Sequence, residues 1–239
     1  MRKFVLAVLL VFAFASLAQA GPLIVAAGAG YKKFVTELAG TYEQQSGQKL
    51  ELVFGNMGQV VAQAKGSGKI QLIIGEQGFL QKTGLAFASF HELGRGALVL
   101  AWPKGRGVTT LDDLVKPEIK RLAMPDPQKA IYGAAGAEAL ARSGLSAKVR
   151  DKLLVVATVP QVTSYLVLGE VDAGLTNLTD VMDLGQKIGG WSRVDERLYA
   201  PIVIGAGVLA DARDQAAVSA FTVFLASPKA REIARKHGL

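Results

Sequence analysis

Short apolar segments alternate with amphipathic helical patterns along most of the chain, and this alternation limits the fold more than any other feature. The segment "LIVAAG" at 23–28 is typical of a buried strand, and residues 31–46 follow with apolar side chains at helical spacing. Next, "KLELVF" at 49–54 alternates as another strand. Because strands and helices keep alternating in this way, the sequence predicts an α/β protein with mainly parallel sheets.

The pattern also contains two places where the chain can cross between lobes. A Pro/Gly-rich exit follows the strand pattern that ends at Trp102, and a long apolar strand pattern at 198–210 returns toward the first unit. The sequence therefore predicts two lobes with a ligand cleft between them, each a mainly parallel sheet flanked by helices. We assign 21–102 and 198–239 to the first lobe and 103–197 to the second.

The first twenty residues have the features of a secretory signal peptide at 1–20. Arg2 and Lys3 precede an apolar run at 4–17, and Ala-Gln-Ala at 18–20 fits a cleavage site. The run of about 14 residues is short for a membrane span, although an uncleaved anchor is the alternative. The chain contains no cysteine, which excludes disulfides and a lipid-modified cysteine. We therefore expect a periplasmic protein that is exported and not lipid-anchored.

The charge balance is basic but not clustered. The formal net charge is +7, and loss of Arg2 and Lys3 leaves about +5, which suits an anionic ligand, an acidic partner or a membrane surface. The longest basic runs, 32–33 and 235–236, have no aromatic residues interleaved with a basic face. Nucleic-acid binding is therefore not expected.

Residues suited to catalysis or metal binding are sparse. His91 and His237 are far apart and neither belongs to a spaced ligand motif, so we expect no protein-bound metal. Ser89 lies too close in sequence to His91 to suggest a triad, and no G-x-S-x-G motif occurs. "GAGYKK" begins like a dinucleotide fingerprint but has Lys33 at the third glycine. We predict no catalytic residue, no cofactor and no enzymatic activity, and a solvated His237 in a polar tail.

Four strand-to-helix junctions remain, at 28–31, 55–58, 131–134 and 176–179. In an open parallel sheet such junctions lie at the carboxyl ends of strands, where ligands bind. Helix N-termini and neutral donors from two lobes can then hold a small anion without a formal counter-charge. The alternative is that the glycines of these loops serve only turn geometry.

Four segments carry a resemblance to a known family: "LIVAAGAGYKKFVTELAGTYEQQSGQKLELVFGNMG" at 23–58, "AMPDPQKAIYGAAGAEAL" at 123–140, "LGEVDAGLTNLTDV" at 168–181 and "FLASPKAREIARKHGL" at 224–239. Together they span nearly the whole mature chain. They resemble the periplasmic molybdate-binding proteins of ABC importers. The resemblance implies the two-lobed periplasmic-binding-protein fold of class II.

The same resemblance implies a binding site that diverges at its ligand contacts. In that family a tetrahedral oxyanion is held by backbone amides, two first-lobe serine hydroxyls and a second-lobe tyrosine hydroxyl. Here the first serine position holds Ala29 or Gly30, the second holds Asn56 or Met57, and the tyrosine position holds Asn177. The expected ligand-binding residues are Ala29, Gly30, Tyr31, Asn56, Met57, Tyr132, Gly133 and Asn177.

The expected function is that of a solute receptor that closes around a small oxyanion, with molybdate or tungstate as the first expectation. The resemblance implies an ABC permease in the inner membrane as the partner, and we expect a monomer. Two alternatives stay open: a receptor for a different small inorganic or organic anion, and a non-transport accessory or sensor protein on the same fold. An exported hydrolase has no nucleophile–base pair to support it.

Overall fold

A computed structural model describes residues 21–239, so the expected signal peptide at 1–20 lies outside the described residues. The strands within that range are β1 (Leu23–Gly28), β2 (Leu50–Gly55), β3 (Leu72–Glu76), β4 (Phe87–Gly96), β5 (Leu98–Trp102), β6 (Leu122–Pro125), β7 (Leu153–Val156), β8 (Ala173–Asn177), β9 (Gly190–Arg193) and β10 (Ile202–Leu209). The helices are α1 (Lys32–Ser46), α2 (Met57–Ser67), α3 (Gln77–Gln81), α4 (Ile131–Arg142), α5 (Ser146–Val149), α6 (Val159–Leu168), α7 (Leu178–Met182), α8 (Gln215–Leu225) and α9 (Pro228–Lys236). Across 21–239, every helix is too short or too polar to cross a bilayer.

The strands form two five-stranded sheets, one in each lobe, with the orders β2-β1-β3-β10-β4 and β7-β6-β8-β5-β9. The α/β class and the two-lobed fold are confirmed. Each sheet is mixed rather than mainly parallel, because it contains two parallel and two antiparallel strand pairs. The antiparallel pairs arise where β5 and β10 enter a sheet from the other lobe, without the crossover helix that parallel neighbours need.

The first crossing between the lobes lies earlier than the sequence suggested. β4 belongs to the first sheet and β5 to the second, with only Ala97 between them. The sequence had assigned 98–102 to the first lobe, and we propose instead that it belongs to the second, because β5 joins the second sheet. A Pro/Gly-rich exit does follow β5, but β4 and β5 form nearly continuous strand sequence, so no local break marks the real crossing. We propose on this basis that Ala97 divides the lobes.

The C-terminal helices pack back onto the first lobe. The ring of Tyr42 on α1 meets Phe221 on α8 edge-on, with 5.0 Å between ring centroids. His237 follows α9 and is 6% exposed, and its Nε2 lies 2.8 Å from Glu37 Oε2 on α1. His237 is thus a buried contact that ties the C-terminus to α1, and the expectation of a solvated side chain was wrong.

Candidate functional site

A cavity of about 30 Å³ lies between the lobes where four strand-to-helix junctions meet. We call it the interlobe cavity and define it by its lining residues. The first lobe contributes the junctions after β1 and β2, and the second lobe those after β6 and β7. The lining residues are Gly28, Ala29, Gly30, Tyr31, Gly55, Asn56, Met57, Ala130, Ile131, Tyr132, Thr158 and Val159. The first backbone N–H groups of a helix lack intrahelical acceptors, so these junctions bring together unpaired donors.

Asn56 begins α2 and offers a donor to the cavity. Its Oδ1 accepts a hydrogen bond from Gln59 N at 2.9 Å, while Gln59 Oε1 accepts from Asn56 N at 3.0 Å. This capping box commits the acceptor side of the Asn56 amide to the helix. Within residues 21–239, Nδ2 has no hydrogen-bond partner, and the residue is 7% exposed. The side-chain amide of Asn56 is therefore left as a hydrogen-bond donor.

Met57 gives the same wall an apolar surface. It is 2% exposed, and a Cβ added at Gly28 or Gly75 would lie 3.3 or 3.2 Å from its Sδ. The thioether therefore packs over the glycines of β1 and β3. Met57 packs against the first-lobe sheet and also lines the cavity. It therefore gives the cavity wall an apolar surface and offers no hydroxyl donor.

Tyr31 and Tyr132 meet across the cleft. Their hydroxyl oxygens are 2.7 Å apart and form a hydrogen bond between the lobes, and both residues are 2% exposed. Burial raises the pKa of the Tyr31 hydroxyl well above its ordinary value of 10.0, and Tyr132 and the Glu76 carboxylate raise it further. Burial raises the pKa of Tyr132 in the same direction, against a smaller opposing effect of its bond to Tyr31. Both hydroxyls are therefore protonated at neutral pH.

Gly133 and Asn177 lie outside the cavity lining, whereas the other six residues that the sequence singled out line it. A Cβ on Gly133 would come within 2.4 Å of the carbonyl oxygens of Pro125 and Asp126, so Gly133 lets α4 approach the end of β6. Asn177 is fully buried, and its Oδ1 accepts from Asp180 N at 3.0 Å. Its Nδ2 donates to Gly30 O at 3.1 Å, which links the lobes. Direct ligand contact by any of the eight residues stays a prediction.

Thr158 and Val159 line the cavity but were missed by the sequence reasoning, which had chosen the junction at 176–179. That junction is covered by the crossing segment, because Leu178 N donates to Ala97 O at 3.0 Å. A signal for the junction that lines the cavity was present in "TVPQ", where Thr158 and Gln161 form a capping box at the start of α6. A helix start after β7 was therefore readable, but its position facing the first lobe was not.

The lining side chains carry no charge among the residues described. Two of the charged groups that flank the lining segments are paired: Lys33 Nζ lies 3.2 Å from Asp183 Oδ2, and Lys129 Nζ lies 3.5 Å from Asp126 Oδ2. A third, Lys32, does not line the cavity, and its Nζ lies 5.9 Å from the centroid of the Phe54 ring. Gly58 N donates to Lys129 O at 3.2 Å and adds another link between the lobes. Any negative charge bound in the cavity would thus be balanced by backbone dipoles and neutral donors.

A second cavity, the hinge cavity, lies where the chain crosses between the lobes. Its volume is about 170 Å³, and it contains two arginines from different sheets, Arg95 on β4 and Arg193 on β9. Arg193 Nη1 is 4.0 Å from Glu196 Oε1, and both side chains are exposed. The lining residues are Arg95, Gly96, Arg193, Glu196, Tyr199, Pro201 and Ile202.

Gly96 forms part of the hinge cavity and touches the tyrosine pair behind it. A Cβ at Gly96 would lie 2.1 Å from the Tyr132 hydroxyl and 3.2 Å from the Tyr31 hydroxyl. Because real Cβ atoms do not approach so closely, only glycine allows the hydroxyl pair to occupy this position. Gly96 lines the hinge cavity, and the two tyrosines that it contacts line the interlobe cavity, so Gly96 and the hydroxyl pair form the wall between the two cavities.

Ser89 and His91 lie together on β4, although their spacing did not suggest a catalytic triad. Ser89 Oγ and His91 Nε2 are 3.0 Å apart, because alternate residues of a strand project from the same face. Within residues 21–239, no carboxylate hydrogen bonds to His91, and neither residue lines the interlobe cavity. The pair therefore lacks the third group that orients a catalytic histidine.

Comparison with known proteins gives a consistent result. The family model described as bacterial extracellular solute-binding protein matches residues 23–239. The chain is 30% identical over 232 residues to the molybdate-binding protein ModA of Azotobacter vinelandii, covering 92% of this chain and 90% of that protein. It is 27% identical over 237 residues to the molybdate-binding protein ModA of Rhodobacter capsulatus, covering 97% of this chain and 93% of that protein.

Similarity to a solved structure extends over both lobes. The periplasmic molybdate-binding protein of Azotobacter vinelandii matches with a TM-score of 0.82 and 25% sequence identity. The match covers 90% of this chain and 97% of the other.

Proposed function

The chain belongs to the bacterial extracellular solute-binding protein family, which is not a family of enzymes, and we propose that its solute is a small oxyanion bound in the interlobe cavity. The observation that carries this proposal is the convergence of four junctions on a cavity without charged side chains. Helix starts favour negative charge, and their N–H groups hydrogen bond to it. A buried anion needs several such donors, because burial removes its hydration.

Molybdate or tungstate is the proposed ligand. Two relatives that align with nearly the whole chain are named as molybdate-binding proteins. The donors available here are backbone N–H groups, the Asn56 amide and the tyrosine hydroxyls in place of the serine hydroxyls that the family resemblance implied. The lining side chains include no carboxylate. A protonated anion such as hydrogen phosphate therefore lacks a strong acceptor for its proton, and fully ionised tetrahedral oxyanions are favoured.

The proposed setting is the periplasm, where the protein would deliver its ligand to an ABC permease in the inner membrane and act as a monomer. The family and the named relatives support a role outside the cytoplasm. The sequence of residues 1–20 supports export through a cleaved signal peptide without a lipid anchor.

The apolar part of the lining favours a second candidate, a receptor for another small inorganic or organic anion. Three apolar residues line the cavity: Met57, Ile131 and Val159. Their side chains would contact the carbon atoms of an organic anion more favourably than they would contact a charged oxygen of an oxyanion. A non-transport accessory or sensor role would use the same site, because it differs only in what the closed protein contacts.

Thermal unfolding of the mature protein against molybdate, tungstate, sulfate, phosphate and small carboxylates tests the proposal. An anion present at a hundred times its Kd should add about 2.7 kcal/mol to the unfolding free energy. Stabilisation by molybdate or tungstate supports the first ligand class. Stabilisation by a carboxylate alone moves the assignment to an organic anion, and no stabilisation by any anion contradicts anion binding.

A further inference from the structure

Tyr31 and Tyr132 form the hydrogen bond that joins side chains of the two lobes at the cavity. Tyr31 follows β1 in the first lobe, and Tyr132 lies in the first turn of α4 in the second. Their hydroxyl oxygens are 2.7 Å apart, and both residues line the interlobe cavity. Each hydroxyl carries one proton, so one of the two O–H groups donates to the other hydroxyl and the second O–H group has no acceptor within the pair. Within residues 21–239, neither hydroxyl has another hydrogen-bond partner.

The surroundings of the pair leave the second proton few acceptors. Beside the hydroxyls lie Gly96, which has no side chain, and the Cγ2 methyl of Ile202. Both tyrosines are 2% exposed, so bulk water does not satisfy the free O–H group. A buried donor without an acceptor costs free energy, and a ligand oxygen in the cavity would remove that cost.

We propose that the Tyr31–Tyr132 pair is a relay of two hydroxyls that joins the lobes in the ligand-free protein and donates a hydrogen bond from its second O–H group to the bound anion. In the bound state the order is one hydroxyl donating to the other and the second donating to an anion oxygen. The relay makes these two tyrosines specificity-determining residues of the proposed site, and its ligand-bound half rests on the proposed function.

The relay differs from two packed aromatic residues in how substitutions combine. The hydroxyl next to the anion donates directly, and the other hydroxyl acts through it by polarising it. Removal of the hydroxyl next to the anion should therefore remove most of the contribution that the pair makes to anion affinity. Two unconnected contacts would instead give effects that multiply, as independent sites do.

The test uses the full mature protein, freed of ligand by unfolding and refolding, with Tyr31→Phe, Tyr132→Phe and the double variant. Titration calorimetry with molybdate, tungstate and sulfate gives the Kd of each. We expect one single variant to bind about 10-fold to 100-fold more weakly, the other about 3-fold to 5-fold more weakly, and the double variant no more weakly than the weaker single variant. Urea unfolding without ligand should show a non-zero coupling between the two positions.

Tyr199→Phe is the matched control. Tyr199 is also a buried tyrosine, at 3% exposed, but its hydroxyl accepts from Leu98 N at 3.2 Å and the residue lines the hinge cavity. This variant should lose stability and keep the wild-type Kd.

Each outcome separates the relay from the proposed function. Wild-type binding with unchanged Kd in both single variants overturns the relay and leaves the function in place. Multiplying effects in the double variant also overturn it. Failure of the wild type to bind any of these anions overturns the ligand-bound half together with the proposed function. In that case the coupling without ligand decides the interlobe half, and zero coupling overturns it.

Discussion

The interlobe cavity and the hinge cavity lie on either side of Gly96 and present opposite kinds of surface. The interlobe cavity has a volume of about 30 Å³ and no charged side chain, whereas the hinge cavity has about 170 Å³ and two arginines. A search for an anion site by charge alone would choose the hinge cavity. The arginines there are exposed, so water and salt weaken their attraction for an anion.

The comparison shows why a neutral cavity can be the better receptor site. An exposed arginine attracts anions of any shape, while N–H groups and hydroxyls held by the fold select by geometry. In a buried site each such donor interacts more strongly than it does in water. The interlobe cavity also draws its lining from both lobes, so a ligand bound there would contact both and favour closure.

Substitution of the shared wall should have the largest effect. Gly96→Ala places a Cβ only 2.1 Å from the Tyr132 hydroxyl oxygen, which is a severe clash. We expect a loss of about 1–3 kcal/mol in unfolding free energy and a loss of affinity of 100-fold or more, because the tyrosine must move. Urea unfolding and titration calorimetry measure the two effects. Gly40→Ala on α1 is the control, since a Cβ there has no neighbour within 4 Å. Wild-type affinity in Gly96→Ala would show that the two cavities do not share a critical wall.

Asn56 separates folding from anion binding. Asn56→Asp keeps an oxygen that can cap α2 at Gln59 N and places a carboxylate in the cavity. We expect nearly unchanged unfolding free energy and a loss of affinity of at least about 10-fold, because repulsion replaces a hydrogen bond worth about 1.5–3 kcal/mol. Asn56→Ala should lose both the cap, at about 0.5–2 kcal/mol, and the donor. If Asn56→Asp bound the anion as tightly as the wild type, the interlobe cavity would not be the anion site.

Alkaline pH should destabilise the protein through the buried tyrosine pair. The pKa values of Tyr31 and Tyr132 are raised in the folded protein above the ordinary value of 10.0, so the folded state keeps protons that the unfolded state has lost. Their contribution is fully present below pH 10 and is lost as pH rises toward the folded pKa values. The unfolding free energy should fall by up to about 1.4 kcal/mol per pH unit for each tyrosine. Urea unfolding between pH 9 and about pH 11 measures this slope, and Tyr31→Phe should make it shallower. An identical slope in the variant would contradict the assignment.

The arginines of the hinge cavity should have the smallest effect on anion affinity. Arg95→Gln and Arg193→Gln remove exposed charge from residues that do not line the interlobe cavity. We expect a change in Kd of less than about 2-fold at physiological ionic strength, because salt screens exposed charges. Titration at low and high salt measures this change. A loss of anion binding in either variant would show that the anion binds in the hinge cavity rather than in the interlobe cavity.

The sequence predicted the parts of the fold that depend on local periodicity. The α/β class and the first strands and helices follow from patterns such as "LIVAAG" and the amphipathic segment after it, where each residue's burial depends on its own neighbours. The crossing proposed at Ala97 was not predicted from the sequence, because its position depends on which sheet accepts β5. β5 pairs with β8 and β9, and those pairings are long-range.

The same distinction applies to the candidate site. Asn56 and Met57 were recognised because a glycine-flanked loop begins a helix, which is a local signal. The sequence reasoning did not select Val159, which lines the cavity, and it selected Asn177, which lies outside the lining. Both positions depend on how the lobes face each other. The hydroxyl bond between Tyr31 and Tyr132 spans 101 residues and has no local signature.

If the lobes rotate relative to each other, the single-residue link at Ala97 would be the fulcrum of that rotation. Because consecutive Cα atoms are only about 3.8 Å apart, the last residue of β4 and the first of β5 keep nearly constant separation in any rotation of the lobes. Displacement then grows with distance from the fulcrum. β2 and β7 stand at the far edges of their sheets from β4 and β5. In such a rotation the junctions that follow them, which carry Asn56 and Thr158, would be displaced farthest, whereas the tyrosine hydroxyls beside Gly96 would be displaced least.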